Sequence, residues 1–193
     1  MNIVVKTVSE HILVRPDTTW KRNNEDMYVP SFVKRMDWCP VFSLRICRSG
    51  RYVSPRFARR YYDAIGSGVL LYPRLYSPDD DILTLQELFA QGCCLNHTSL
   101  VPTPSYSPER INECRFSLSL SAGSQKEEYS FECPSTETLE KSLAKASEVA
   151  WLRTGDILCI ELDQRRALAE GEQTLRFEGS LLEGNNIDFE VKF

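Results

Sequence analysis

The chain has 193 residues, of which 42% are hydrophobic and 26% charged, and its net charge at pH 7 is −4. This length and composition can bury one substantial core, so we expect residues 1–193 to form a single domain. The first residues are polar and charged and contain no long apolar run, which predicts neither a signal peptide nor a membrane span. Seven cysteines without a repeated spacing are not typical of a disulfide scaffold, so we expect a reduced, cytoplasmic protein.

The first third of the chain contains a predicted strand and a predicted helix. Residues 1–7 read as a strand. The helix begins at Ser54, with Pro55 at its first position, and extends to about Ala64. Proline is common at this position because the first N–H groups of a helix have no partner within the helix, so the absence of one costs no hydrogen bond.

Two further helices are predicted in the middle of the chain. Acidic residues at 79–81 can cap a short helix over residues 82–91, which Gly92 would end. Another helix begins near Ser135. This helix places four apolar residues on one stripe, Leu139, Leu143, Ala146 and Ala150.

Two segments alternate apolar and polar residues with period two. They are residues 116–121 and the segment 187–193, and each reads as a half-buried strand. No internal repeat or long linker divides the chain. Together these signals predict a strand-rich α+β architecture.

Positive charge is concentrated in the first 76 residues, which carry 13 Lys or Arg and 6 Asp or Glu, whereas the remainder carries 10 and 21. A basic half can bind phosphate backbones. Three arginines cluster on one face of the first predicted helix: Arg56, Arg59 and Arg60. We expect an ordinary solvated face instead, opposite Phe57 and Tyr61 packed inward, and therefore no nucleic-acid binding.

The region from Pro30 to Arg74 combines a strand around Cys39, the turn-and-helix run SGRYVSPRFARRYYDAIGSG and a glycine-rich strand. In order and spacing these features resemble the fumarylacetoacetate hydrolase superfamily. The resemblance covers nearly the whole chain and is loosest between residues 76 and 113. It implies a fumarylacetoacetate hydrolase-type fold, a mixed β-roll or sandwich with a few short helices, and a homodimer.

In that superfamily three carboxylates hold a Mg or Mn ion, which chelates the two oxygens of a dicarbonyl substrate. The resemblance places Cys39 and Val41 in the positions of the two ligands that share a strand, and Leu70 in the third. Hard cations require oxygen ligands, and these side chains offer none. We therefore expect the metal to be lost and the protein to be a degenerate, non-catalytic relative with a binding or structural role.

The resemblance also places Ser99 where the family carries a catalytic lysine. The alternative is a divergent hydrolase or isomerase acting on a small oxo acid or dicarbonyl compound, with an active site rebuilt from Asp37, Asp63, Arg74 or the cysteines. Arg74 stands where the family's strand carries an arginine and could clamp a carboxylate by a bidentate pair. A sensor of small carboxylic acids would use Arg74 in the same way.

Two cysteine-containing arrangements suggest other chemistry. The segment 93–97, Cys-Cys-Leu-Asn-His, could contribute to a zinc or copper site, and Cys39 could act as a nucleophile beside His11 or His97. The first arrangement has no recognised metal-ligand spacing, and the second requires a proximity that the sequence does not show. We expect ordinary packing at these positions because unpaired cysteines are usually small buried side chains.

Overall fold

The computed structural model describes residues 1–33, 35–75, 82–168, 174–183 and 186–193. Its strands, in chain order, are β1 (Asn2–Lys6), β2 (Ile12–Pro16), β3 (Trp20–Lys21), β4 (Met27–Tyr28), β5 (Arg35–Ile46), β6 (Tyr62–Arg74), β7 (Ser99–Leu100), β8 (Phe116–Ala122), β9 (Gln125–Phe131), β10 (Ile157–Glu161), β11 (Arg166–Ala167), β12 (Thr174–Ser180) and β13 (Ile187–Lys192). Its helices are α1 (Pro55–Ala58), α2 (Ile82–Cys93) and α3 (Thr136–Val149), with short 3₁₀ helices at Asp17–Thr19, Arg59–Tyr61 and Pro108–Glu113. The fold is the strand-rich α+β fold that the sequence predicts.

The described strands form two sheets. In the first sheet the order is β2-β1-β10-β5-β6-β7-β3, and β11 pairs with β5 beyond the end of β10. In the second sheet the order is β4-β13-β12-β8-β9. Most neighbouring strands are antiparallel, but β1 pairs with β10 in parallel. Strands distant in sequence therefore lie side by side at the centre of the first sheet.

The long antiparallel hairpin of β5 and β6 is the centre of the first sheet. Side chains of a strand point alternately to its two faces, so one face of β5 carries Trp38 and Phe42, and the other carries Cys39 and Val41. The ring of Trp38 makes edge contacts with Tyr129 and with Phe177 of the second sheet. The main core therefore lies between the two sheets, and a second, smaller core covers the opposite face of the hairpin.

Helix α3 begins where the sequence predicts, but Ala150, the fourth residue of the predicted stripe, lies beyond its end at Val149 and is only partly buried. The Ser135 hydroxyl accepts a hydrogen bond from the Thr138 N–H at 3.2 Å, which is the usual N-cap arrangement. Leu139, Leu143 and Ala146 are buried in the main core. The predicted strands at 1–7, 116–121 and 187–193 are confirmed as β1, β8 and β13.

Two predicted helices have different bounds in the structure. The helix that begins after Ser54 was expected to reach about Ala64, but α1 ends at Ala58 and β6 begins at Tyr62, which pairs with Ile46. Strand pairing thus overrides helix continuation. Helix α2 extends past Gly92 to Cys93, and its proposed acidic cap at 79–81 lies outside the described residues.

The expected inward packing of Phe57 was wrong. One turn of helix directs few side chains inward, and here the fully buried one is Ala58, whereas Phe57 is 39% exposed. Tyr61 is only partly buried against the main core. Among the described residues, no helix is long and apolar enough to cross a membrane.

Candidate functional site

The three positions that the family resemblance assigns to metal ligands meet on one face of the central hairpin. Cys39 lies directly opposite Leu70 in the pairing of β5 with β6, and Val41 lies opposite Gly68. Cys39 and Val41 share a face because they are two residues apart. All three side chains are fully buried. The three positions therefore lie next to one another on adjacent strands.

A hydrophobic cluster fills the space around these positions. Its buried members are Ile3, Val5, Cys39, Val41, Leu70, Tyr72, Cys93, Val101, Ile157 and Cys159. Burial, with the nearby negative charge of Glu161, raises the pKa of the Cys39 thiol well above its ordinary range. That thiol hydrogen-bonds the Asp163 carbonyl oxygen at 3.2 Å.

A protonated thiol and two aliphatic side chains do not fit a hard cation, which takes oxygen ligands. The wider surroundings do not provide a substitute set. Among the residues that the structure describes, no three His, Cys, Asp or Glu side chains lie close enough together to hold a metal ion. The residues present here thus do not match the Mg or Mn site of the family.

Ser99 lies beside Leu70 on the neighbouring strand β7 and is also fully buried. Its hydroxyl is 3.0 Å from the Thr19 hydroxyl and accepts a weak hydrogen bond from Arg15 Nη1 at 3.4 Å. Cys39, Leu70 and Ser99 thus form a row across three strands. A hydroxyl held by these partners supports the packing of β7 and is not presented to a pocket.

Arg15 is a buried cation that sequence reasoning missed. Its side chain is fully buried, and Nη1 donates to the carbonyl oxygens of Leu71 at 3.1 Å and Thr98 at 3.3 Å. Its guanidinium lies 4.3 Å from the centre of the Tyr72 ring. One sequence signal indicated its burial. Arg15 lies two residues after Leu13 in β2, so both side chains lie on the strand face that packs against the apolar cluster.

Glu161 is a buried carboxylate beside these positions, and sequence reasoning also missed it. It pairs with Val41 in the register of β10 with β5. Its Oε1 accepts hydrogen bonds from the Tyr72 hydroxyl at 2.5 Å and from Arg165 Nε at 3.2 Å, and its Oε2 accepts one from the Val8 N–H at 3.1 Å. Both oxygens are therefore occupied by donors. The alternation of Ile157, Cys159 and Glu161 on one face could have indicated this placement.

A pocket of about 370 Å³ opens beside the apolar cluster. Its lining residues are Asp37, Tyr72, Pro73, Arg74, Leu75, Leu85, Leu88, Phe89 and Arg165. The Arg165 guanidinium covers the Tyr72 ring at 3.8 Å and lies 5.1 Å from the Phe89 ring. The two rings are themselves stacked, with centres 6.3 Å apart. Helix α2 thus supplies an apolar wall, and the hairpin supplies charged groups.

Two of the predicted pocket residues, Asp37 and Arg74, lie together in this pocket. Arg74 Nε donates to Asp37 Oδ2 at 2.7 Å. Asp37 is almost completely buried, and its Oδ1 accepts no hydrogen bond from the described residues; Arg35 Nε lies 3.7 Å from this oxygen. Asp63 does not line this pocket. It forms an exposed two-point pair with Arg45 at 2.8 and 3.0 Å.

The cysteine-rich segment before His97 does not converge on a common site. Cys93 is buried in the apolar cluster, whereas Cys94 and His97 are exposed. A larger hollow of about 610 Å³ lies on the second sheet and is lined mainly by serines and charged residues. That hollow contains none of the residues that the resemblance assigns to the site. The pocket beside Arg74 is therefore the candidate functional site.

The sequence matches no family model and no curated protein. Solved structures match it over almost its entire length. Fumarylpyruvate hydrolase from Pseudomonas aeruginosa, solved with Mn²⁺ and pyruvate, has a TM-score of 0.72 at 12% identity, covering 100% of this chain and 90% of that one. A fumarylacetoacetate hydrolase family protein from Yersinia pestis has a TM-score of 0.69 at 13% identity, covering 98% and 91%.

An Escherichia coli protein whose name describes it as an isomerase has a TM-score of 0.72 at 13% identity, covering 98% of this chain and 91% of that one. Identities this low establish the fold and not the activity. The agreement nevertheless includes the strand-rich architecture and the whole chain length. The protein therefore has the fumarylacetoacetate hydrolase-type fold, as the sequence resemblance implies.

Proposed function

We propose that the protein is a divergent fumarylacetoacetate hydrolase-fold protein that binds a small carboxylic acid without metal-assisted catalysis. The observation that carries this proposal is the contrast between two neighbouring regions. The family's ligand positions lie in a packed apolar cluster, whereas the adjoining pocket contains the guanidinium groups of Arg74 and Arg165.

The metal-assisted reaction needs a cation that holds two substrate oxygens. Cys39, Val41 and Leu70 supply no oxygen to such a cation, and the oxygens of Glu161 already accept hydrogen bonds. If the Glu161 carboxylate rotated to bind a metal ion, it would lose these hydrogen bonds. We infer that the chain has lost the Mg or Mn of the family.

Binding of an acid is supported by guanidinium N–H groups in the pocket that have no partner among the described residues. Arg165 uses Nε for Glu161, and Arg74 directs Nε and Nη2 toward Asp37. The remaining guanidinium N–H groups can bind a carboxylate in a planar, two-point arrangement. The pocket volume of about 370 Å³ lies within the range for small-molecule sites.

The walls of the pocket favour an acid with an apolar or aromatic side. Leu85, Leu88 and Phe89 line one wall, and each is at least partly exposed to the pocket or to solvent. We therefore expect an aromatic acid to bind more tightly than an aliphatic acid of similar length.

The catalytic part of the proposal is tested by titrating Mg²⁺ and Mn²⁺ into chelator-treated protein by calorimetry, followed by assays of dicarbonyl hydrolysis and decarboxylation. The Pseudomonas aeruginosa hydrolase is the positive control. We expect no metal-dependent turnover. Turnover that a chelator abolishes would instead support the alternative, a rebuilt hydrolase or isomerase acting on a small oxo acid.

The binding part is tested by thermal unfolding with 3-phenylpropionate and hexanoate. A ligand that binds only the native state raises the melting temperature. We expect a rise with both acids, larger with 3-phenylpropionate, and its loss in Arg165→Gln when each variant is compared with its own unliganded state. Arg176→Gln is the matched control, since Arg176 pairs with Asp188 at 2.9 and 3.0 Å on the exposed second sheet. An unchanged response in Arg165→Gln would refute the proposed site.

A further inference from the structure

A separate surface combines exposed aromatic rings with arginines. It comprises the turn after β5, the short helices that follow it and the segment after α3, and we name it the arginine–aromatic surface. Its members, all exposed, are Arg48, Arg51, Tyr52, Arg56, Phe57, Arg59, Arg60, Trp151 and Arg153. None of them lines the pocket beside Arg74.

Backbone hydrogen bonds join the two segments of this surface. Gly50 and Leu152 form an antiparallel bridge in which each N–H donates to the other's carbonyl oxygen at 3.0 Å. The Tyr52 N–H donates to the Ser147 carbonyl oxygen, also at 3.0 Å. The arginines of the turn and the exposed Trp151 are therefore held on one continuous surface.

The surface is strongly positive. Residues 47–62 contain five arginines and no lysine, aspartate or glutamate. Within the described part of the chain, none of the six arginines of the surface forms an ion pair. By contrast, Arg45, Arg110 and Arg176 each pair with a carboxylate.

The rings of this surface are open to solvent. Tyr52 is 67% exposed, Trp151 63% and Phe57 39%. Arg51 lies over the Tyr52 ring at 4.8 Å, and Arg56 and Arg60 lie 4.6 and 5.3 Å from the centre of the Phe57 ring. The sequence expectation of a solvated helix face relied on Phe57 packing inward. Its exposure removes that reason and leaves the arginines and the rings as one surface.

We propose that the arginine–aromatic surface binds single-stranded nucleic acid. Guanidinium groups bind phosphate oxygens through planar pairs of N–H groups. Exposed rings provide platforms on which unpaired bases stack, and arginine adds to such stacking. In a duplex the bases already stack on one another, so the rings would contribute only to single-strand binding.

Other anionic partners fit the surface less well. An acidic peptide would satisfy the arginines but offers no regular series of flat rings to Tyr52, Phe57 and Trp151. An anionic membrane attracts lysine as readily as arginine, yet this surface contains only arginine. Phosphates and flat rings together therefore match it best.

The test measures fluorescence anisotropy of a labelled single-stranded oligonucleotide and of its duplex, over a series of salt concentrations. We expect the logarithm of the affinity to fall linearly with the logarithm of salt, by about 0.7 per phosphate contact. The triple variant Arg51→Gln/Arg56→Gln/Arg60→Gln should bind at least tenfold more weakly and lower the slope by about 2. Trp151→Ala should weaken binding about fivefold or more without changing the slope.

The matched control is Arg110→Gln/Arg176→Gln, which removes two exposed but ion-paired arginines and should bind like the wild-type chain. Thermal unfolding monitored by circular dichroism verifies that each variant is folded. Absence of binding at low salt, or equal binding by the triple variant, would overturn the proposal. Equal affinity for duplex, or tighter binding to polyglutamate or anionic vesicles, would also overturn it.

A second copy of this chain is the remaining alternative occupant of the surface, since the family resemblance implies a homodimer. Sedimentation of the wild-type chain and the triple variant distinguishes a dimer contact at this surface from nucleic-acid binding. A dimer that the triple variant dissociates would assign the surface to a second copy and would overturn nucleic-acid binding. Acid binding at Arg165 is independent of all these outcomes, because the two sites share no residue.

Discussion

Cys39 and Leu70 lie directly opposite each other across the two central strands, and both side chains are fully buried. The register of β5 with β6 therefore gives these positions the spatial relationship that a shared metal would need. Their side chains instead belong to an apolar cluster. Strand register is set by the hydrophobic pattern on the buried faces, so the same pairing can hold either a ligand set or a core.

Placing a carboxylate at position 70 should destabilise the protein strongly. We expect Leu70→Asp to cost about 3 kcal/mol or more at neutral pH, because the charge would be buried without a partner. Leu70→Asn, of matched size, should cost less. Urea unfolding of both variants at several pH values measures the difference.

The pH dependence of this difference has a defined sign. Burial would raise the pKa of the new Asp, so the folded state would hold its proton more tightly than the unfolded state. The Asp variant should therefore be most stable, relative to the Asn variant, below about pH 4, and should lose stability as the pH rises above that value. Recovery of Leu70→Asp by millimolar Mg²⁺ would contradict the expectation that the new charge stays without a partner, and would show that one added carboxylate is enough to admit a cation.

Local signals predicted much of the fold. Alternation in residues 116–121 and 187–193 and the capping Ser135 each depend on neighbours in sequence, and each prediction is confirmed. The convergence of Cys39 and Val41 followed from the two-residue period of a strand. These features need no knowledge of which strands are neighbours.

The polar groups around the site could not be predicted in this way. Arg15, Tyr72 and Glu161 come from three strands that are distant in sequence, and their contacts depend on the sheet order. Glu161 resembled the polar end of an ordinary strand, yet it is buried and accepts hydrogen bonds from Tyr72 and Arg165. The end of the first helix was also misjudged, because the pairing of Tyr62 with Ile46 is a long-range contact.

Alkaline pH should destabilise the protein through its buried thiols. Cys159 is fully buried, and desolvation raises the pKa of its thiol to about 12. The unfolded thiol ionises above about pH 8.5, so the stability it confers is present below that pH and is lost as the pH rises further. At about pH 9.5 the loss should be about 1.4 kcal/mol for such a thiol.

Denaturant midpoints between neutral pH and about pH 9.5, in reducing buffer, measure this effect. Cys159→Ala should lose less stability over this interval than the wild-type chain. Cys94→Ala is the control, since Cys94 is exposed. A Cys159→Ala variant with the wild-type pH dependence would show that the Cys159 thiol is not the titrating group.

The hydroxyl of Tyr72 should contribute measurably to stability. It donates to Glu161, whose side chain is 1% exposed, so Tyr72→Phe leaves a buried carboxylate with one fewer donor. Hydrogen bonds to charged groups contribute about 1.5–3 kcal/mol, and we expect a loss in that range. Tyr129→Phe is the control, since Tyr129 donates to the exposed Glu127.

Chemical denaturation of the two variants provides the comparison. The loss for Tyr129→Phe should stay below about 1 kcal/mol, because exposed charged pairs are well solvated. Equal losses for the two variants would show that Glu161 finds another donor in the absence of the Tyr72 hydroxyl. In that case the cluster around Tyr72 would be less specific than its geometry indicates.

Gly68 should be required for the segment at Leu100 and Val101 to pack over the apolar cluster. It lies opposite Val41, and a Cβ added there would be 2.8 Å from Val101 Cγ2 and 2.9 Å from the Leu100 carbonyl oxygen and Val101 Cα. Backbone atoms cannot move aside as a flexible side chain can, so Gly68→Ala should cost about 1–3 kcal/mol. At Gly66 the nearest atom is the Ser43 hydroxyl oxygen at 3.0 Å, and Gly66→Ala should cost less.

The same pair of variants reports on access to Cys39. Displacing the segment that ends at Val101 would uncover the cluster, so Gly68→Ala should increase the rate at which iodoacetamide modifies Cys39, as measured by mass spectrometry. Gly66→Ala should leave that rate near the wild-type value. Modification of Cys39 at the wild-type rate in Gly68→Ala, despite a loss of stability, would mean that the cover persists and that the strain is relieved elsewhere in the sheet.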